Sequence, residues 1–159
     1  MQPMVTIALR AARKAGDIIE RATENLDQLE VQAKTPSDFV TEVDQAAEKE
    51  ILYHLQKAYP DHAFLCEESG IIGDAENAEY LWIIDPLDGT TNFIRGIGHF
   101  AVSIACMKNG VLEHAVVYDP IRREEFTASR GRGARVNGRR IRVPSKYDKT
   151  NALFATGIP

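Results

Sequence analysis

The chain of 159 residues is poor in several things at once: it has two cysteines, Cys66 and Cys106, one tryptophan, and four histidines with no metal-ligand spacing between them. Two cysteines exclude the disulfide framework of a small secreted scaffold and read as reduced, buried thiols. No apolar run approaches the roughly 20 residues needed to cross a bilayer. Residues 1–10 lack the basic-then-apolar order of a secretory leader. These absences point to a soluble, cytoplasmic protein with no membrane partner. Repeats and low-complexity segments are also missing. With 44% hydrophobic and 26% charged residues, the composition is that of one globular domain able to bury a core.

Charge is unevenly placed. Residues 1–121 carry nine Lys/Arg against 20 Asp/Glu, a balance of −11, whereas residues 122–159 carry ten against three, a balance of +7. The basic part contains Arg122, Arg123, Arg130, Arg132, Arg135, Arg139, Arg140 and Arg142. Such residues guard the edge of a sheet against unwanted pairing, or they form a surface for an acidic partner or RNA.

Periodicity predicts a helix over 3–23, with Ala8, Ala11, Ala12, Ala15, Ile18, Ile19 and Ala22 on its apolar stripe. A loop with a short extended piece near 29–31 follows. A second helix is expected from Thr41 to about Tyr59, with Thr41 and Asp44 at capping distance and Val43, Ala47, Ile51, His54, Leu55 and Ala58 facing inward. Thereafter the pattern is one of strands: Ala63–Cys66, Leu81–Ile84, Ala101–Met107, Val111–Tyr118, Glu124–Ser129, Ala134–Val136 and Arg139–Val143. Asn109-Gly110 and Asn137-Gly138 are two-residue hairpin turns. Two helices followed by a run of antiparallel strands make the class α+β.

The chemistry concentrates in Asp85-Pro86-Leu87-Asp88-Gly89-Thr90-Thr91-Asn92. An apolar strand delivers Asp85, Pro86 restricts the backbone, and Asp88 returns a second carboxylate three residues later. Glu67-Glu68 follows another strand, and Asp44 lies in the first turn of the second helix. Without a cation nearby in sequence, such crowding is costly unless a metal binds. Oxygen-only donors suit Mg²⁺, Mn²⁺ or Ca²⁺. A short helix opening at Thr90 would aim the N–H groups of Gly89 and Thr90 at an anion. Carboxylate-held metals beside such an end form a phosphate site suited to two-metal hydrolysis. The plainer readings are a cap for Asp44, surface charge for Glu68, and an Asx turn for Asp85 and Asp88.

These residues resemble the inositol monophosphatase family. Asp85–Asn92 matches its first signature without departure, Glu67-Glu68-Ser69 matches its Glu-Glu-Ser, and Asp38-Phe39-Val40-Thr41-Glu42-Val43-Asp44 matches its Asp-x-Val-Thr-x-x-Asp. Val116-Val117-Tyr118 and Gly131-Arg132-Gly133-Ala134 are similar to further family segments. The resemblance implies Mg²⁺-dependent hydrolysis of inositol monophosphate by metal-activated water. It implies a first metal on Glu67, Asp85 and the Leu87 carbonyl, and a second on Asp85 and Asp88. Glu67 and Thr90 would position the water, with Asp44 in the outer shell of a third, weaker ion. The substrate phosphate would rest on Gly89 and Thr90, beside Glu67, Leu87 and Asp88. The fold implied is the N-terminal half of a layered αβαβα sandwich, with helices packed on an antiparallel sheet.

The family's second signature, Trp-Asp-x-Ala-Ala-Gly, has no counterpart here: the only tryptophan, Trp82, precedes Ile83. The second metal site is therefore expected to be incomplete, the chain to be truncated with its C-terminal α/β half absent, and turnover by this chain to be weak. Related folds handle fructose 1,6-bisphosphate, histidinol phosphate or adenosine 3′,5′-bisphosphate, so the exact ester stays open. The family forms homodimers. One bacterial branch is similar to proteins that join transcription antitermination complexes with RNA polymerase and Nus factors, a role the arginine-rich stretch would serve.

Overall fold

A computed structural model describes residues 2–23, 31–35, 38–144, 150 and 152–156. Helix α1 spans Pro3–Thr23 and α2 spans Glu42–Ala58, with the short antiparallel strands β1 (Val31–Thr35) and β2 (Asp38–Thr41) between them. The remaining strands are β3 (Ala63–Cys66), β4 (Gly70–Ile72), β5 (Tyr80–Asp88), β6 (Ala101–Lys108), β7 (Val111–Asp119), β8 (Glu124–Ser129), β9 (Gly133–Val136) and β10 (Arg139–Ile141), and α3 (Thr90–Ile94) lies between β5 and β6. They form one eight-stranded sheet in the order β10-β9-β8-β7-β6-β5-β3-β4.

The alanines of α1 have a packing purpose. Ala8, Ala11, Ala12 and Ala15 are buried, and their small side chains let α1 lie close to α2 and to the sheet. At Gly16 the approach is closest: a Cβ there would stand 2.4 Å from Tyr118 Cε1 on β7, so even alanine would require the tyrosine ring to shift. The helices cover one face only, burying Trp82, Ile84, Val102, Ile104, Cys106 and Val116. Each such large side chain contributes roughly 1.5–3 kcal/mol of transfer free energy.

The expected hairpin turns are both present. Asn109 and Gly110 have φ of 48° and 75°, Asn137 and Gly138 48° and 77°, the paired left-handed geometry that matches strand twist. Two expectations need correction. The sheet is mixed, because β3 pairs with β5 in parallel. And β5 does not stop before Pro86 but continues to Asp88 through an irregularity. Within α2, Ala58 is exposed and His54 half-buried, while the inner face includes Asp44 and Glu48. That helix starts at Glu42, after Thr41 has closed β2. The expected piece at 29–31 lies outside the described residues except for Val31, which opens β1.

The second face of the sheet is apolar as well. Strand register aligns Ile71, Leu65, Ile83, Ala105, Ala115, Ala128, Ala134 and Ile141 in a single row across all eight strands. None of the described helices packs on that row, and its outer members Ile71, Leu65 and Ile141 are exposed.

Candidate active site

Both fold corrections shape the site. Because β3 and β5 run parallel, with Cys66 opposite Ile84, the chain leaves both strands at the same end of the sheet. Glu67 therefore emerges beside Asp85, and its N–H donates to the Ile84 carbonyl at 3.1 Å. The irregularity in β5 does the rest. Asp85 lies opposite Ser103 and Asp88 opposite Ala101, so three steps on β5 match two on β6. Strand residues three apart ordinarily face opposite ways. The extra residue of this bulge brings Asp85 and Asp88 to the same face. Leu87, inside the bulge, is fully buried and anchors it.

The result is a carboxylate cluster. Burial pushes the Asp85 carboxyl up to about 8, with further contributions from a hydrogen bond to Glu67 and from the negative charges of Glu67, Asp88 and Asp44. Asp85 Oδ1 also accepts the Leu87 N–H at 3.2 Å, so the Asx contact and the crowding coexist. Among the described residues no three carboxylate, imidazole or thiol groups already stand in a ligating arrangement. The donor chemistry nonetheless fits a hard divalent cation: the charges of Glu67, Asp88 and Asp44 all act on Asp85, and carboxylate and carbonyl oxygens are the donors such an ion takes.

Asp44 is no cap. It is 1% exposed, and its Oδ2 lies 3.2 Å from Thr90 Oγ1, which also donates to the Leu87 carbonyl at 2.9 Å. The Thr90 hydroxyl has one proton, and both partners are acceptors. Its oxygen lone pairs are thus left to accept from a water. Gly89, at φ 96°, turns the chain from β5 into α3, and a Cβ there would lie 3.0 Å from the His99 carbonyl. Only glycine fits both demands. Helix α3 has five residues.

One residue escaped the sequence reading. Glu48, 1% exposed on α2, accepts the N–H groups of Glu68 at 2.8 Å and Ser69 at 2.9 Å and the Ser69 hydroxyl. It holds the turn that presents Glu67. A signal existed: Asp44 and Glu48 are one helical turn apart, within the stripe that also holds Val43, Ala47 and Ile51, where apolar residues are the rule. Cysteine chemistry does not compete here, since burial pushes both Cys66 and Cys106 up to about 12, leaving no thiolate at neutral pH.

Residues 1–159 match the Inositol monophosphatase family throughout. The chain belongs to the inositol monophosphatase family. Across its whole length it is 62% identical to the Nus factor SuhB of Pseudomonas aeruginosa, covering 59% of that protein. The solved structure of the extragenic suppressor protein SuhB of Bartonella henselae superposes with a TM-score of 0.86 at 45% identity, over 91% of this chain and 56% of the other. The inositol monophosphatase of Anabaena gives 0.76 at 38% identity, over 89% and 50%. This inositol monophosphatase family chain therefore spans somewhat over half the length of the relatives it matches, and its fold is the N-terminal part of theirs. Among the described residues no helix is long and apolar enough to cross a membrane.

Proposed function

We propose that the carboxylate cluster is the metal-binding half of a phosphomonoesterase site that takes Mg²⁺ and hydrolyses inositol monophosphate or a similar phosphate ester. The observation that carries this reading is the β5 bulge, which sets Asp85 and Asp88 on one face beside Glu67, with the Asp85 carboxyl raised by burial and by its acidic neighbours. Glu67, Asp85, Asp88 and the Leu87 carbonyl would hold the metal. Bound there, a divalent cation supplies Lewis-acid activation of water and neutralises phosphate charge.

The chain's own residues do the rest. Glu67 can take a proton from the attacking water. Thr90, its proton engaged by Asp44 and Leu87, accepts from that water and fixes its direction. Asp44 keeps the hydroxyl turned. Gly89 and Thr90 bring backbone N–H groups to the mouth of the cluster, where a phosphate would rest beside Asp88.

The test is phosphate release from D,L-inositol 1-phosphate with Mg²⁺, run on the chain, on its Asp85→Asn variant and on a polypeptide extended to the relatives' length. Activity in the extended protein that Asp85→Asn abolishes is the expected result. Mg²⁺-dependent release that survives Asp85→Asn would sink the proposal.

A second reading has support of its own. Relatives 62% and 50% identical to the chain carry the name Nus factor SuhB. The segment 126–144 holds six arginines and no acidic residue. These arginines run along the β8–β10 edge, where no described carboxylate pairs with them, unlike Arg122 with Asp119 and Arg123 with Glu20. An adaptor in a transcription antitermination assembly with RNA polymerase and Nus factors, working as a homodimer, would use that edge. Asp85→Asn separates the readings, because it would leave such an assembly intact.

A further inference from the structure

We propose that the cleft between the start of α1 and the β8–β9 turn is a binding site for a small oxyanion of the phosphate class, separate from the carboxylate cluster. The cleft has a volume of about 190 Å³ and is lined by Gln2, Val5, Thr127, Ser129, Arg132 and Arg135, among others. None of its lining residues is acidic.

Four features converge on an anion. First, α1 is 21 residues long and has no acidic residue in its first turn. The first-turn N–H groups of Met4 and Val5 precede any intrahelical acceptor, and the positive end of the helix dipole lies there.

Second, two guanidinium groups are brought to this same end. Gln2, with its amide turned to accept, lies 2.9 Å from Arg132 Nε and 3.2 Å from Arg132 Nη2. Arg135 donates to the Gly138 carbonyl at 2.9 Å, which braces it over the cleft. Two cations against a positive helix end repel unless an anion sits between them.

Third, Thr127 is only 6% exposed yet borders the cleft, and its hydroxyl makes no hydrogen bond among the described residues. The hydroxyl therefore opens onto the cleft rather than into the core, and it has a donor to offer there. Fourth, the size is right: the space holds a tetrahedral oxyanion with a few waters.

The cleft is distinct from the carboxylate site. Register places Thr127 in a row with Val116, Ile104 and Ile84, all on the helix-covered face. Asp85 and Asp88 belong to the opposite face, and β8 is three strands away from β5, about 14 Å at ordinary strand spacing.

The experiment is a titration of the ¹⁵N-labelled chain with inorganic phosphate in EDTA, followed by NMR. Without a divalent cation the carboxylate cluster repels phosphate, so binding seen in EDTA belongs to the cleft. The amide signals of Met4, Val5 and Thr127 should move together and saturate in the millimolar range, with sulfate competing. Replacing both arginines (Arg132→Gln with Arg135→Gln) should weaken binding at least tenfold, and Thr127→Val severalfold, with the dispersed spectrum of a folded chain retained in both. A variant whose spectrum collapses is exchanged for the single substitution Arg135→Lys, which should weaken binding less than the double change. Shifts that stay linear in phosphate, that require Mg²⁺, or that are unchanged in the arginine variants would overturn the proposal.

Discussion

Glu48 accepts the Ser69 N–H at 2.9 Å, so a buried carboxylate on α2 holds the turn from which Glu67 projects. The arrangement works because the carboxylate is fully used, with the Glu68 N–H and the Ser69 hydroxyl as further donors. Glu48→Ala leaves the Glu68 and Ser69 N–H groups without their acceptor, which costs about 1–3 kcal/mol. Glu48→Gln keeps an acceptor and should cost about half of that. Thermal melts will rank them, and Mg²⁺ affinity should fall in the same order. A Glu48→Ala chain with an unchanged melting temperature would show that the turn needs no such support.

Asp85 carries the opposite kind of energy. Its carboxyl is crowded by Glu67, Asp88 and Asp44, a function-for-stability exchange of the sort that active sites make. Asp85→Asn should therefore stabilise the metal-free chain by about 1 kcal/mol while removing its response to Mg²⁺. Wild-type chain melted with increasing Mg²⁺ should gain stability as the cation binds the native state only. If the variant melts lower than wild type in EDTA, the cluster is not strained in the manner described.

How much of this could be read from residues alone divides along physical lines. The Asn-Gly turns were legible because left-handed backbone pairs select so few residues. The apolar periods of α1 and α2 were legible because burial repeats with helical pitch. Asp85, Asp88, Glu67, Asp44 and Thr90 were marked by their motif, and the structure brings them to one place. The bulge was hidden, since a period of two says nothing about an inserted residue, and Pro86 reads like a stop. The parallel pairing of β3 with β5 was hidden too, because it depends on a crossover through β4 rather than on either strand's pattern. Glu48 was overlooked because an acid on a helix ordinarily reads as solvent-facing, and its partners lie 20 and 21 residues away.

Trp82 supplies a built-in reporter of pH. Its Nε1–H donates to His62 Nδ1 at 3.0 Å, which places the ring proton of neutral His62 on Nε2. The imidazole is stacked between Tyr59 at 4.8 Å and Tyr80 at 4.6 Å. Burial lowers the pKa of His62 below its usual 6.5, against the opposing pull of Asp61 and Glu79; Lys108, over the Tyr80 ring, is the cation nearest the stack. Protonating Nδ1 would turn an acceptor into a donor facing a donor. The unfolded chain takes up that proton near pH 6.5 and the folded chain resists it, so this contribution to stability is present above pH 6.5 and is lost as pH falls below it. The melting temperature should drop by a few degrees between pH 7 and pH 5, with a matching change in the fluorescence of the single tryptophan. His62→Phe should flatten the part of that slope due to this site. An equal slope in the variant would assign the effect to other groups.

The sheet face on which no described helix packs carries the last prediction. Its row of eight apolar residues ends in exposed Ile71, Leu65 and Ile141, and Val117 and Phe126 in the adjoining row are 37% exposed each. Central alanines at positions 105, 115, 128 and 134 make a shallow floor between larger side chains, a shape on which another element can lie closely. A contiguous apolar surface of this extent is uncommon on a monomer. The folded chain should bind an apolar dye such as ANS and should associate as concentration rises, both visible without denaturant. Replacing Val117 and Phe126 by lysine puts two charges on the face without touching the helix-covered core. Dye binding and sedimentation should both fall severalfold while the melting temperature changes little. If association persists undiminished in that variant, it proceeds through another surface, and the edge strand β10 becomes the next place to substitute.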